Sequence, residues 1–243
     1  MCGRFARFSP AHVFRMLFQL DEFLELAPQY NISPGQEIYA VRGIPVRDQE
    51  PDNASTTDAA REVAPLQWGL IPFWSKQPRS GPINARSETV AEKPTFKASF
   101  KQRRCLIPAD GFYEWKKTTS GPKQPYFIHM ANEEPFALAG IWDKWNNPEG
   151  GSIESCSILT TEPNAVVKPI HKRMPVIIDK SKFDTWLNPA EKQDLDEVKA
   201  LLKPFDPKKM EAYPVSLYVN KPQNKGKKCI QEKEEKYKQQ KLF

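Results

Sequence analysis

From residue 65 onward the chain offers apolar residues only in short runs, each closed within a few positions by proline or glycine. Proline removes a backbone donor and glycine weakens a continuing element, so this punctuation disfavours long helices and favours short strands joined by turns. The β-favouring runs predict strands near 37–42, 65–71, 103–108, 111–115, 125–130, 136–142, 154–160, 174–179 and 213–219. Ser9 and Pro10 read as a helix N-cap and first helical residue, and Val13, Phe14, Leu17, Phe18, Leu20, Phe23 and Leu24 form an apolar stripe that stops before Pro28. Further helices are predicted at 162–168, 180–187 and 189–203, the last lined by Leu195, Val198, Leu201 and Leu202. Many strands with helices at the start and late in the chain predict a single α+β domain over residues 2–220. Its core is expected to be a curled, mostly antiparallel, barrel-like β-structure with peripheral helices. The polar run 47–62 is expected to be a flexible surface loop.

Length and composition fit a folded globular chain: 243 residues, 39% hydrophobic, six Trp and fourteen Phe. No run of eighteen apolar residues indicates a membrane span, and no apolar export signal follows the N-terminus, so a cytoplasmic, monomeric protein is expected. Cys2, Cys105, Cys156 and Cys229 are widely separated, and His12, His129 and His171 are the only histidines, so no metal spacing exists and reduced thiols fit best. The net charge of +6 is misleading as a nucleic-acid signal. Residues 221–243 hold eight Lys against three Glu, five of those six charges, and are expected to be a basic, flexible tail.

Cys2 carries the strongest chemical signal. Removal of Met1 would place a free amine and a thiol on adjacent carbons of one residue, with reference pKa values of about 7.7–8.0 and about 8.5. A 1,2-aminothiol traps aldehydes: the amine forms an imine and the thiol closes it to a thiazolidine. A cysteine at this position also reads as a chance apolar residue near a chain end, and position alone does not decide.

Polar, chemically capable residues interrupt three apolar segments. Asn84 and Arg86 alternate along an extended stretch and so share a face suited to a phosphate or sugar oxygen, or they merely pin a loop. Trp68 and Trp74 offer a stacking surface for unpaired bases, or ordinary core aromatics. Glu114 lies between Tyr113 and Trp115 just after Gly111; desolvation there would raise its pKa into the range of a general acid and base, whereas clean alternation would turn it to water. His171 and Arg173 share a proline-bounded turn, where the imidazole could move a proton and the guanidinium hold a phosphate. The stretch from Pro214 to Asn220 reads as structural.

These segments together resemble the SOS response-associated peptidase family, also called abasic site processing proteins. The resemblance runs from Met1 to about Gln231 through MCGRF (1–5), YNISPG (30–35), QWGLIPFW (67–74), INARSET (83–89), RRCLIPADGFYEWK (103–116), IHKRMPVII (170–178) and PVSLYVN (214–220). It implies a protein that crosslinks through its processed N-terminal cysteine to the ring-opened aldehyde of an abasic site in single-stranded DNA, with neither metal nor cofactor. The matching positions imply Cys2 as nucleophile, Glu114 as acid and base, His171 as a second catalytic group, and Asn84 and Arg86 at the site and on DNA. Arg4 and Arg173 would contact phosphates, and Trp68 and Trp74 would lie against unstacked bases. Lys172 stands where an acidic or polar residue is common, which changes local charge. The family name adds autocatalytic thiol peptidase chemistry that would expose Cys2. Two other readings stay open from the residues alone: a cysteine hydrolase acting on peptides through Cys2 and His171, and a non-enzymatic single-strand binding module.

Overall fold

The computed structural model describes residues 2–44, 61–188 and 195–233. In chain order its elements are β1 (Phe5–Arg7), α1 (Ala11–Phe18), β2 (Gln29–Ile32), β3 (Glu37–Gly43), β4 (Arg61–Trp68), β5 (Asn84–Arg86), α2 (Pro94–Gln102), β6 (Arg104–Ala109), β7 (Gly111–Lys116) and β8 (Gln124–Met130). There follow β9 (Phe136–Asn146), β10 (Ser152–Thr161), β11 (Met174–Pro175), β12 (Ile177–Ile178), α3 (Phe183–Leu187), α4 (Leu195–Ala200) and β13 (Met210–Pro214). The mixed α+β class with mostly antiparallel, curled sheets is the one the sequence predicts.

Two sheets organise these strands. The larger runs β11-β10-β4-β3-β6-β9-β12 with β5 beside β10, and a further pairing of β9 with β10 closes its central five strands on themselves. Among the described residues only β10 pairs in parallel, with β4 and with β5. The smaller sheet runs β13-β8-β7-β1-β2. β6 and the first six residues of β9 are buried on both faces, which is why they read as continuous apolar runs rather than alternating ones. Cys105, Ile107 and Leu138 face one cluster that also holds Cys2, Phe5, Phe112 and Ile128 of the smaller sheet. Leu106, Ala139 and Ile141 face a second cluster with the helical residues Phe14, Phe18, Phe100 and Trp186. The core thus lies between the two sheets and under the helices. A third cluster covers the outer face of the smaller sheet, where Ala6, Tyr113 and Phe127 meet Val215, Val219 and Cys229.

Several predicted elements need correction. The helix expected to reach Leu24 stops at Phe18 because Gln19 adopts a left-handed conformation (φ 52°), though Leu20 and Phe23 still pack against the core. Ser9 is not the cap: Pro10 occupies that position, and the Ser9 hydroxyl donates to Asp110 instead. The helix expected at 162–168 is replaced by turns over residues 165–170: Asn164 Oδ1 accepts from Val166 and Val167 N–H as a cap does and Lys168 N–H bonds Asn164 O at 2.9 Å, but Pro169 stops the run after one turn. The strand expected at 213–219 ends at Pro214, after which Leu217–Asn220 turns as a short 3-10 helix. Of the helix expected at 189–203 the described part is Leu195–Ala200, and of the loop at 47–62 only Arg61 and Glu62 are described, as the start of β4. The first residues of the basic tail expected over 221–243 pack on the fold. Cys229 is buried, Lys225 Nζ donates to Asn31 O (2.8 Å) and Gln36 Oε1 (3.0 Å), and Lys233 N–H reaches Pro214 O at 2.8 Å. Residues 221–233 are therefore part of the folded unit.

Candidate active site

The site forms where the start of the chain crosses between the sheets. Cys2 precedes β1, is fully buried, and its carbonyl accepts from Asn84 Nδ2 at 2.8 Å. Asn84 opens β5, which is fixed by parallel pairing to β10, with Asn84 opposite Ile158 and Arg86 opposite Thr160. Trp68 Nε1 donates to Ile83 O at 2.9 Å and holds the chain immediately before Asn84. The Asn84 Oδ1 atom is buried and has no hydrogen-bond partner among the described residues.

Glu114 enters from β7 and is only 2% exposed. Its strand does alternate, but neither face is wet: Phe112 lies in the intersheet core, and Tyr113 and Trp115 pack on the opposite, covered face. Glu114 shares the inner side with Phe112, so its burial comes from the intersheet position rather than from its two aromatic neighbours in sequence. Burial pushes its carboxyl up to about 7. The Cys2 thiol is pushed up to about 12 by burial and then by the Glu114 charge, and its Sγ lies 3.8 Å from Arg4 O.

His171 closes the cluster. Its Nδ1 lies 3.5 Å from Glu114 Oε1, 3.1 Å from Arg173 O, and accepts from Arg173 N–H at 3.2 Å. Its N–H to Val167 O bond (2.9 Å) seats it at the end of the turn, and burial lowers its pKa. Cys2, Asn84, Glu114 and His171, drawn from four separate segments, therefore converge.

The expected DNA contacts divide. Trp68 is 0% exposed and packs edge-on against Phe5 at 5.4 Å, so it supports the site from the core, whereas Trp74 is 55% exposed beside Phe73. Arg86 is exposed on β5. Arg173 is engaged by Glu88, with Nη1–Oε1 2.5 Å and Nη2–Oε2 2.9 Å, and this pairing holds the Glu88 carboxyl below its usual range. Arg4 turns away from solvent toward Asn31 and Val219. An open groove of ≈ 810 Å³ runs to His171 between Trp115, Lys116, Lys117, Lys123, Lys168 and Lys172. Sequence reasoning missed Glu88 and Asn31, although both sit inside quoted motifs, because their partners are far away in the chain. Among the described residues no group of three or more His, Cys, Asp and Glu is placed to hold a metal ion. No helix among them is long and apolar enough to cross a membrane.

Buried Cys2, a carboxyl raised toward neutrality and an imidazole in contact with it form one cluster near the start of the chain. The chain belongs to the SOS response associated peptidase (SRAP) family, whose profile matches residues 1–222. It is 41% identical over 236 residues to the abasic site processing protein YoqW of Bacillus subtilis (strain 168), across 95% of this chain and 99% of that protein. The abasic site processing protein HMCES of Xenopus tropicalis is 32% identical over 228 residues, across 84% of this chain and 65% of that protein. Among solved structures, a protein from Bacteroides thetaiotaomicron superposes with a TM-score of 0.78 at 29% identity, covering 96% of this chain and 100% of that chain.

Proposed function

We propose that this protein recognises abasic sites in single-stranded DNA and captures them covalently through Cys2 after loss of Met1, shielding the site from strand cleavage. The observation that carries the reading is the convergence of Cys2, Asn84, Glu114 and His171, together with relatives named for abasic site processing.

The chemistry follows from the proton inventory. With a pKa of about 7, Glu114 holds both protonation states near neutrality, as an acid that later acts as a base requires. Protonated Glu114 donates to the ring oxygen of the abasic sugar as the hemiacetal opens to the aldehyde. The Cys2 amine adds to C1′, and the resulting carbinolamine loses water to give the imine, with Glu114 and His171 passing the proton. The thiol then adds across C=N, sulfur bonding to C1′ and its proton passing to nitrogen. The balance is DNA plus protein minus one water. Asn84 aims Cys2 by holding its carbonyl. Exposed Trp74 and Arg86 would take unstacked bases and phosphates, Arg173 would join them only on leaving Glu88, and the lysine-lined groove would add attraction. Nothing in this sequence of steps uses a metal or cofactor.

Burial and then the Glu114 charge raise the Cys2 thiol, which favours the neutral thiol over a standing thiolate. A thiol that attacks an imine already formed within the same residue needs no standing thiolate. Intact mass spectrometry of the full chain, with and without single-stranded DNA carrying one abasic site, tests the proposal. The expected result is loss of Met1 and a heat-stable adduct, without borohydride, at the summed mass less one water. A mature Cys2 terminus that yields no adduct overturns it.

A further inference from the structure

We propose that the segment from Val215 to Asn224 is a clamp that sets Cys2 against Glu114, with Arg4 and Asn220 as its two positioning residues. The inference rests on the reading of Cys2 and Glu114 as the reacting pair. It assigns Arg4 a role other than phosphate binding.

Arg4 is committed inward. Its Nη1 donates to Asn31 Oδ1 at 2.7 Å and to Val219 O at 3.0 Å, and its guanidinium lies 5.9 Å from the Trp115 ring centre. Asn31 is fully buried and is the hub of the clamp. Its Nδ2 lies within donating distance of Val219 O (3.1 Å), Lys221 O (3.1 Å) and Asn224 O (2.7 Å). The side chain of Arg4 thus ties the strand that follows Cys2 to three carbonyls of the late segment through one amide.

The backbone of Arg4 faces the reacting residues. Its carbonyl accepts from Tyr113 N–H at 2.9 Å, one residue before Glu114, and lies 3.8 Å from the Cys2 thiol. The second grip is on the other side of Glu114. Trp115 Nε1 donates to Asn220 Oδ1 at 2.8 Å. One segment therefore holds Arg4, immediately before β1, and Trp115 of β7, and Glu114 lies between the two points of attachment. Val215, Val219 and Cys229 anchor that segment on the outer face of the same sheet. Reacting groups must meet within about 3–3.5 Å, and a misplacement of about 1 Å costs on the order of 100-fold in rate, so a device fixing two strands in register acts on the chemical step.

The test uses Arg4→Gln and Asn220→Ala in the full chain. Adduct formation with abasic single-stranded DNA is followed at saturation, and binding is measured separately with DNA carrying a non-reactive tetrahydrofuran analogue. Arg4→Gln is expected to slow the saturated rate about tenfold or more, and Asn220→Ala severalfold, with affinity and its salt dependence unchanged. The double variant is expected to lose less than the product of the two, because both act through one segment. Unchanged saturated rates, with weaker binding and a salt slope reduced by about 0.7 in Arg4→Gln, would make Arg4 a phosphate ligand and overturn the clamp.

A DNA-free readout separates this inference from the function it rests on. Alkylation of Cys2 by iodoacetamide, read on the N-terminal peptide, is expected to rise severalfold in both variants as the clamp loosens. Absence of any adduct in the unaltered protein sinks the crosslinking proposal, while alkylation still decides the clamp. Equal Cys2 labelling in all three proteins overturns it. Asn220 is exposed, so its variant removes one surface hydrogen bond and guards against a folding defect in Arg4→Gln.

Discussion

At the scale of single residues, the site depends on where protons reside. Glu114 has a folded pKa of about 7 against an unfolded value of 4.5. A raised carboxyl contributes most to stability below its unfolded pKa, and that contribution is lost as the pH rises through 7, up to about 3 kcal/mol in all. Glu114→Gln, which carries no charge, is expected to gain stability relative to the unaltered protein between about pH 5 and pH 8 while slowing adduct formation. Parallel melting curves across that range would show that Glu114 is not held near neutrality. Cys2→Ser should bind abasic DNA but leave no heat-stable adduct, since an oxazolidine hydrolyses more readily than a thiazolidine; a stable adduct would assign the covalent bond elsewhere. Glu88 restrains Arg173 with two hydrogen bonds. Glu88→Gln should therefore release the guanidinium to a phosphate and steepen the salt dependence of single-strand binding by about 0.7 in log–log slope, checked by titrations at several salt concentrations.

At the scale of elements, β7 shows how a strand buries a carboxylate without breaking alternation. Phe112 and Glu114 take the intersheet face, Tyr113 and Trp115 the face covered by the late segment. The strand starts at Gly111, where an added Cβ would meet the Phe127 ring at 2.2 Å and the Ile128 carbonyl at 2.9 Å. Gly111→Ala must then push β7 away from β8, with which it pairs from Phe112–Ile128 to Lys116–Gln124. A cost of about 1–3 kcal/mol is expected, hence a fall in Tm of about 2–10 °C by calorimetry. An unchanged Tm would mean that the pairing yields without strain.

At the scale of the whole molecule, closure of five strands by the β9–β10 pairing supplies a rigid wall, and the smaller sheet lies against it with the start of the chain in between. The outer face of that smaller sheet is finished by a segment more than a hundred residues later than β7. Truncation after Asn220 would remove the Lys225 bonds to Asn31 and Gln36 and the buried Cys229. It is expected to lower Tm and slow adduct formation together, measured by thermal melts and gel-shift; retention of both would place the functional boundary at 220 after all.

Residue chemistry and local pattern were legible in the sequence. The punctuated apolar runs predict most strands of the larger sheet, because strands buried on both faces are apolar whatever their neighbours are. The alternation of Asn84 with Arg86 holds in β5, and the MCGRF motif singles out Cys2 as the residue to which the proposed chemistry is given, although position alone does not decide it. Pairing and burial were not legible. Trp68 and Trp74 look alike in one motif, yet one is core and the other surface, since that depends on which strand lies alongside. Glu114 is dry because two sheets meet over it, and Arg4 is structural because Asn31 and Val219 arrive from distant parts of the chain. Side-chain type and backbone propensity are local properties that sequence carries directly. Desolvation, pKa and the partner of a charge depend on groups brought together only by long-range folding, so the tertiary structure alone decided them.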